Sequence, residues 1–139
     1  MKTLPFNLDS IQAVISEYPT PFHIYDEKGI RASARKLDQS FSWAPGFKNF
    51  YAVKALPNPA TVEILKQEGM GIDCSSLAEL VIADKLGFKD DEIMFSSNDT
   101  AAEDFVKANE LGAIINLDDI SHIAFLETCL LYTSDAADE

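Results

Sequence analysis

Positive charge is scarce in this 139-residue chain: 11 Lys and Arg face 23 Asp and Glu, giving a formal net charge of -12. That balance excludes a nucleic-acid-binding surface, because neutralising phosphates takes a basic patch. Long apolar runs are missing as well. Nothing approaches the roughly 20 residues that a helix needs to span a bilayer. The start, MKTLPFNLDS, has no apolar core behind its lysine of the kind a secretory leader carries. The expectation is a cytoplasmic protein with no membrane partner. Cysteine is represented only by Cys74 and Cys129, too isolated for a disulfide framework. No Cys or His spacing suits a metal site, and no G-x-G-x-x-G follows an apolar segment, so the dinucleotide-binding fingerprint is absent. His23 and His122 stand apart from any acid or cysteine pattern and read as structural.

What is present is 47% hydrophobic residues, ordinary for a globular domain, arranged with clear periodicity. Leu8, Ile11, Val14, Ile15 and Tyr18 share one helical face, with Asn7 or Asp9 as the cap and Pro19 and Pro21 as the stop. Residues 22–25, FHIY, read as a short strand, and 26–41 as a helix on Ile30, Ala34, Leu37 and Phe41. A repeating unit follows. Strands are expected at 47–53, 70–74, 92–95 and 113–116, and helices at 58–67, 76–86, 101–111 and 118–127. Asn58 before Pro59, Ser75 or Ser76, Thr100 and Asp118 are the expected caps. Short apolar strands alternating with amphipathic helices imply an α/β fold with a parallel sheet. Four βα units make about half of a (β/α)8 barrel, which takes about 250 residues in all.

In such a barrel, chemistry sits at the C-terminal ends of the strands. Polar residues gather there: Lys54 after the first strand, Asp73 at the end of the second, Ser96, Ser97 and Asn98 after the third, Asn116 after the fourth. Lys54 is the most informative. Alternation along the strand places it on the face of Phe50 and Ala52. A lysine desolvated in a barrel mouth is held partly neutral, and a neutral amine attacks an aldehyde to form a Schiff base. The small Ala52 leaves room for a planar ring. The plainer alternative is a lysine that snorkels from a strand end. Asp73 reads either as a charge that orients Lys54 or as a helix cap. Glu79, about a turn into the next helix, reads by itself as solvated, and the SSND run at 96–99 as a capped loop. Cys74 reads as a buried strand thiol.

The strings that carry these residues resemble a known family. TPFHIYDEKGIRASARKL resembles the opening segment of diaminopimelate decarboxylases, and YAVKALPNP their lysine-bearing first barrel strand. GIDCSSLAEL, EIMFSSNDT and AIINLDDISHI continue the likeness through about residue 126. The resemblance is to the alanine-racemase-like, pyridoxal-phosphate-dependent decarboxylases. It implies that Lys54 holds pyridoxal 5'-phosphate as a Schiff base, that Ala52 lines the ring face, that Asp73 sits close to Lys54, and that Glu79 lies further off. It implies decarboxylation of meso-diaminopimelate to L-lysine by a full-length homodimeric parent, this fragment being inactive alone. Polyamine-route decarboxylases of ornithine, arginine or carboxynorspermidine are the near alternatives. A non-catalytic pyridoxal-phosphate-binding homeostasis protein is the distant one. SSND departs from the glycine- and asparagine-rich run usual after the third strand.

Three regions follow. Residues 1–28 form an N-terminal helix and strand that would join a second domain in the family, and 29–128 form the first half of the barrel. Residues 129–139, CLLYTSDAADE, resemble a translated transposon-end adapter from sequencing-library preparation. They are expected to be an artefact beyond a gene interrupted near Thr128.

Overall fold

The structure, a computed structural model, describes residues 4–135, with side chains through 131. Residues 1–3, part of the segment read as lacking a secretory leader, and 136–139, the end of the tail read as adapter, lie outside the described residues.

Helix α1 (Leu8–Glu17) is capped by Asn7, whose side chain accepts from the Ser10 N–H at 2.8 Å, and it buries no residue. Helix α2 (Glu27–Ser40) buries Ala34. Between them, 22–25 does not form the expected strand. A strand needs a neighbour to bond to, and no ladder among the described residues includes this segment. Ile24 and Tyr25 instead line an apolar groove of about 640 Å³ together with Ile30, Leu37 and Tyr51.

The four βα units are present. Strand β1 (Phe50–Ala52) is shorter than expected, because Val53–Ala55 turns into one 3-10 turn. Then come α3 (Pro59–Gln67), β2 (Gly71–Cys74), α4 (Leu77–Lys85), β3 (Ile93–Ser96), α5 (Ala102–Glu110), β4 (Ile114–Asn116) and α6 (His122–Asp135). The strands run parallel in the order β1-β2-β3-β4, so β1 and β4 are both edges. This is the N-terminal half of a (β/α)8 architecture.

Alternation along the strands separates two faces. Val53, Ile72, Cys74, Ile93 and Phe95 are fully buried, in one core with Val62, Leu80, Phe88 and Phe105 from the helical layer. Phe95 meets Phe105 edge-on, and Phe105 meets Phe125 of α6 in the same way, which ties α6 to the layer. The opposite face is the open one, and the register aligns Phe50 with Gly71, and Ala52 with Asp73 and Met94. A Cβ on Gly71 would lie 2.6 Å from the Phe50 ring and 2.9 Å from the Glu92 carbonyl oxygen, so only glycine fits beneath that ring.

Two expected caps are corrected. Helix α5 takes Ala101 as its N-cap residue, while the Thr100 hydroxyl donates to the Ser97 carbonyl at 3.3 Å. Helix α6 starts four residues later than Asp118 would place it, because Asp119 accepts from the Ser121 N–H at 2.7 Å and closes a turn first. Helix α6 continues through buried Cys129 to Asp135, so the segment after Thr128 has helical backbone continuous with what precedes it.

Candidate active site

The C-terminal edge of the sheet collects the groups singled out from sequence. Lys54 follows β1, in the 3-10 turn rather than closing the strand, and it is exposed rather than enclosed. Four strands wall only one side of a barrel mouth, so the desolvation expected for this lysine is not provided by these residues. Among the described residues no hydrogen bond or ion pair engages its amine. The turn that carries it packs against β2.

Asp73 ends β2 on the open face, with Ala52 as its cross-strand partner. It does not cap α4. Its Oδ1 accepts a hydrogen bond from the Ser96 hydroxyl of β3 at 2.6 Å. The cap of α4 is Ser76, whose Oγ accepts from the Glu79 N–H at 3.4 Å. Glu79 returns the contact one residue further out, its Oε2 accepting from the Ser75 N–H at 2.7 Å. This is the logic of a capping box, so the half-buried Glu79 stiffens the loop after β2 rather than standing free in solvent. Asp104 of α5, only 9% exposed, closes the same helix end by accepting from the Leu77 N–H at 3.0 Å. The S-x-x-E spacing at 76–79 is the signal that the reading of Glu79 as solvated missed, whereas no local signal marks Asp104 or the Ser96–Asp73 bond.

Cys74 is fully buried on the helix-facing side, and its thiol is pushed up to about 12 by that burial, then by the negative charges of Glu79 and Asp73. A thiol held protonated is no nucleophile. His122 is not wholly apart from acids, since its Nδ1 lies 3.2 Å from Asp118 Oδ1, across the turn between β4 and α6. His23 stacks on Tyr25. Among the described residues neither reaches the sheet-edge groups by a hydrogen bond. No metal-binding cluster of His, Cys, Asp and Glu occurs among the described residues. No helix among them is long and apolar enough to cross a membrane.

Arg31 and Arg35 are not free in solvent as their helix position alone suggests. Arg31 donates to Glu68 Oε1 at 2.9 Å and to Gln67 at 2.7 Å, and Arg35 donates to both Glu68 oxygens, at 2.5 and 2.8 Å. They fasten α2 to the end of α3. The two guanidinium groups hold the Glu68 carboxyl at about 2, well below the usual range.

The edge therefore carries groups that suit an aldehyde cofactor: the Lys54 amine, a small Ala52 two residues before it, and the Asp73 carboxylate across from Ala52, held by Ser96. Comparison with known proteins agrees. Residues 27–131 match the family model for the pyridoxal-dependent decarboxylase, pyridoxal binding domain. Protein TabA of Pseudomonas amygdali pv. tabaci is 43% identical over 111 residues, 80% of this chain and 26% of that protein. The diaminopimelate decarboxylase of Methanothermobacter thermautotrophicus is 38% identical over 108 residues, 77% of this chain and 25% of that one. Among solved structures, diaminopimelate decarboxylase from Helicobacter pylori complexed with L-lysine superposes with a TM-score of 0.78 at 26% identity, over 89% of this chain and 32% of that chain. The chain spans about a quarter of the length of these curated relatives. It belongs to the pyridoxal-dependent decarboxylases, as a pyridoxal binding domain of that family.

Proposed function

We propose that this chain is the first half of the cofactor-binding barrel of a decarboxylase that converts meso-diaminopimelate to L-lysine, with Lys54 holding pyridoxal 5'-phosphate. One observation carries the reading: Lys54 leaves a parallel sheet at its C-terminal edge with its amine unengaged among the described residues, in a chain of the pyridoxal-binding family. When bound, the cofactor supplies an electron sink for the carbon that loses carbon dioxide. The residues here do the holding. Lys54 offers the amine, Ala52 leaves space for the ring, and Asp73 places a negative charge on the same face. Glu79 acts at one remove, by fixing the loop that follows Asp73. Dimerisation of the full-length enzyme is part of the proposal.

The choice of substrate rests on the Methanothermobacter relative and on the Helicobacter structure with L-lysine, because the name TabA states no substrate. Diaminopimelate carries a second carboxylate at its far end, which a guanidinium binds in two places. Both arginines of this chain are occupied by Glu68. The arginine for that carboxylate therefore comes from the remaining three quarters of the enzyme.

Borohydride trapping tests the cofactor role. In the full-length enzyme carrying these residues, Lys54→Ala is expected to lose the reduced cofactor adduct and the decarboxylation together. An adduct of equal yield in that variant removes Lys54 from the mechanism. The substrate is tested separately by release of carbon dioxide, with meso-diaminopimelate expected to outpace ornithine and arginine. Equal or faster turnover of ornithine would overturn the substrate and leave Lys54 in place.

A further inference from the structure

We propose that Ser96 is a positioning residue for the cofactor site, holding the Asp73 carboxylate at the sheet edge where Lys54 emerges. The inference rests on the pyridoxal reading above and deepens it.

The register supplies the geometry. Asp73 lies directly across from Met94, and Ser96 is two residues further along β3. The two side chains are therefore diagonal neighbours on the open face, a separation that short side chains bridge only by leaning toward each other. The bond at 2.6 Å is short and charge-assisted. Because Ser96 stands further toward the strand C-termini, the bond draws the carboxylate toward that edge. Asp73 Oδ1 is used by Ser96, and Oδ2 has no hydrogen-bond or ion-pair partner among the described residues. A carboxylate tied by one oxygen and open at the other is oriented for a further donor. The 3-10 turn carrying Lys54 packs against β2, on the side of Asp73 away from β3. Ser96 thus acts from one side to fix what the lysine and its cofactor meet on the other. Its neighbour across β4, Asn116, is exposed and makes no such contact among the described residues.

The test is the equilibrium dissociation constant for pyridoxal phosphate, measured by absorbance titration of the apo form of the full-length enzyme. Ser96→Ala is expected to weaken binding by about tenfold, the scale of one lost bond to a charged group. Ser96→Thr, which keeps the hydroxyl, is expected to bind within roughly twofold of the parent, since the donor is retained. In an Asp73→Asn background, Ser96→Ala is expected to add less than about a twofold change, because the charged acceptor is already gone. Where the Ala variant does not fold, Ser96→Cys, near in size and a weak donor, is read by the same comparison. Unchanged affinity in Ser96→Ala, no rescue by Thr, or an equal loss with and without Asp73 overturns the proposal. A parent enzyme that binds no pyridoxal phosphate at all overturns the cofactor reading instead, so the two failures are distinguishable.

Discussion

At the scale of single residues, the same two-residue alternation sorts reactive groups into opposite fates. Asp73 faces the open side and accepts from Ser96, while its neighbour Cys74 points into the helical layer and is fully buried. Burial first, and the charges of Glu79 and Asp73 second, raise the Cys74 thiol to about 12. At about pH 8 Cys74 is then held as the neutral thiol. Native protein treated with iodoacetamide is expected to leave Cys74 unmodified in a mass-spectrometric map, and to modify it once denatured. Labelling of Cys74 at the rate of a free thiol would contradict the burial. The raised value also sets a pH dependence. The folded state favours the neutral thiol, so this contribution to stability is whole below the ordinary value of 9.0 and is lost as pH rises through about 12. The reading of Cys74 as a buried strand thiol was available from sequence, because it lies in a short apolar strand and the sequence offers it no triad partner. The Ser96 bond was not, since it depends on a register between two strands that no local pattern states.

Elements are joined by contacts of the same long-range kind. Helix α2 is fastened to α3 by Arg31 and Arg35 on Glu68, across sequence separations of 37 and 33 residues. Spacing along α2 shows two arginines one turn apart and suggests only a solvated face. Glu68 titrates at about 2 instead of 4.5, with Arg35 and then Arg31 as the causes. A depressed carboxyl contributes stability above its unfolded value and loses it as pH falls through the folded one. Glu68→Gln is therefore expected to speed hydrogen exchange of α2 amides relative to the parent above about pH 5, with the difference shrinking between 4.5 and about 2. A difference already absent at neutral pH would show that the clasp holds nothing. A second expectation concerns β2. Gly71→Ala places a Cβ 2.6 Å from the Phe50 ring and 2.9 Å from a carbonyl oxygen, and overpacking of this kind destabilises by about 1–3 kcal/mol. Chemical denaturation of the full-length enzyme carrying the variant measures it, and an unchanged midpoint would mean that Phe50 moves aside freely. The helices were legible where a cap and an apolar stripe coincide, as at Asn58–Pro59 and at Ser76. Residues 22–25 have the composition of a strand, but a ladder is a property of two segments, and one segment cannot reveal whether its partner is present.

For the whole molecule, the parallel sheet that makes the site also exposes it. Strands β1 and β4 have one neighbour each, so both present a row of unpaired backbone groups. A closed barrel has no such edges. The open face carries Ala52, Met94 and Ile114, the last of these 44% exposed on an edge strand. Helix α1 adds Leu8 and Ile15 with no buried residue at all. Helices on one side of the sheet bury Val53, Ile72, Ile93 and Phe95, but among the described residues no comparable cluster covers the other side. Residues 1–139 made alone are therefore expected to associate as concentration rises, by edge pairing and by contact between open faces, and to unfold without a sharp monomeric transition. Light scattering and thermal melts across a concentration series measure both. The edge is the point to probe, because a charge placed there disfavours strand addition without touching the helical core. Ile114→Lys is expected to raise the soluble monomer fraction several-fold, as inward-pointing charges on natural edge strands do. Association that is indifferent to Ile114→Lys would move the cause to helix α1 and its unburied apolar face. A concentration-independent monomer with one cooperative melt would show that four βα units suffice to hold themselves together.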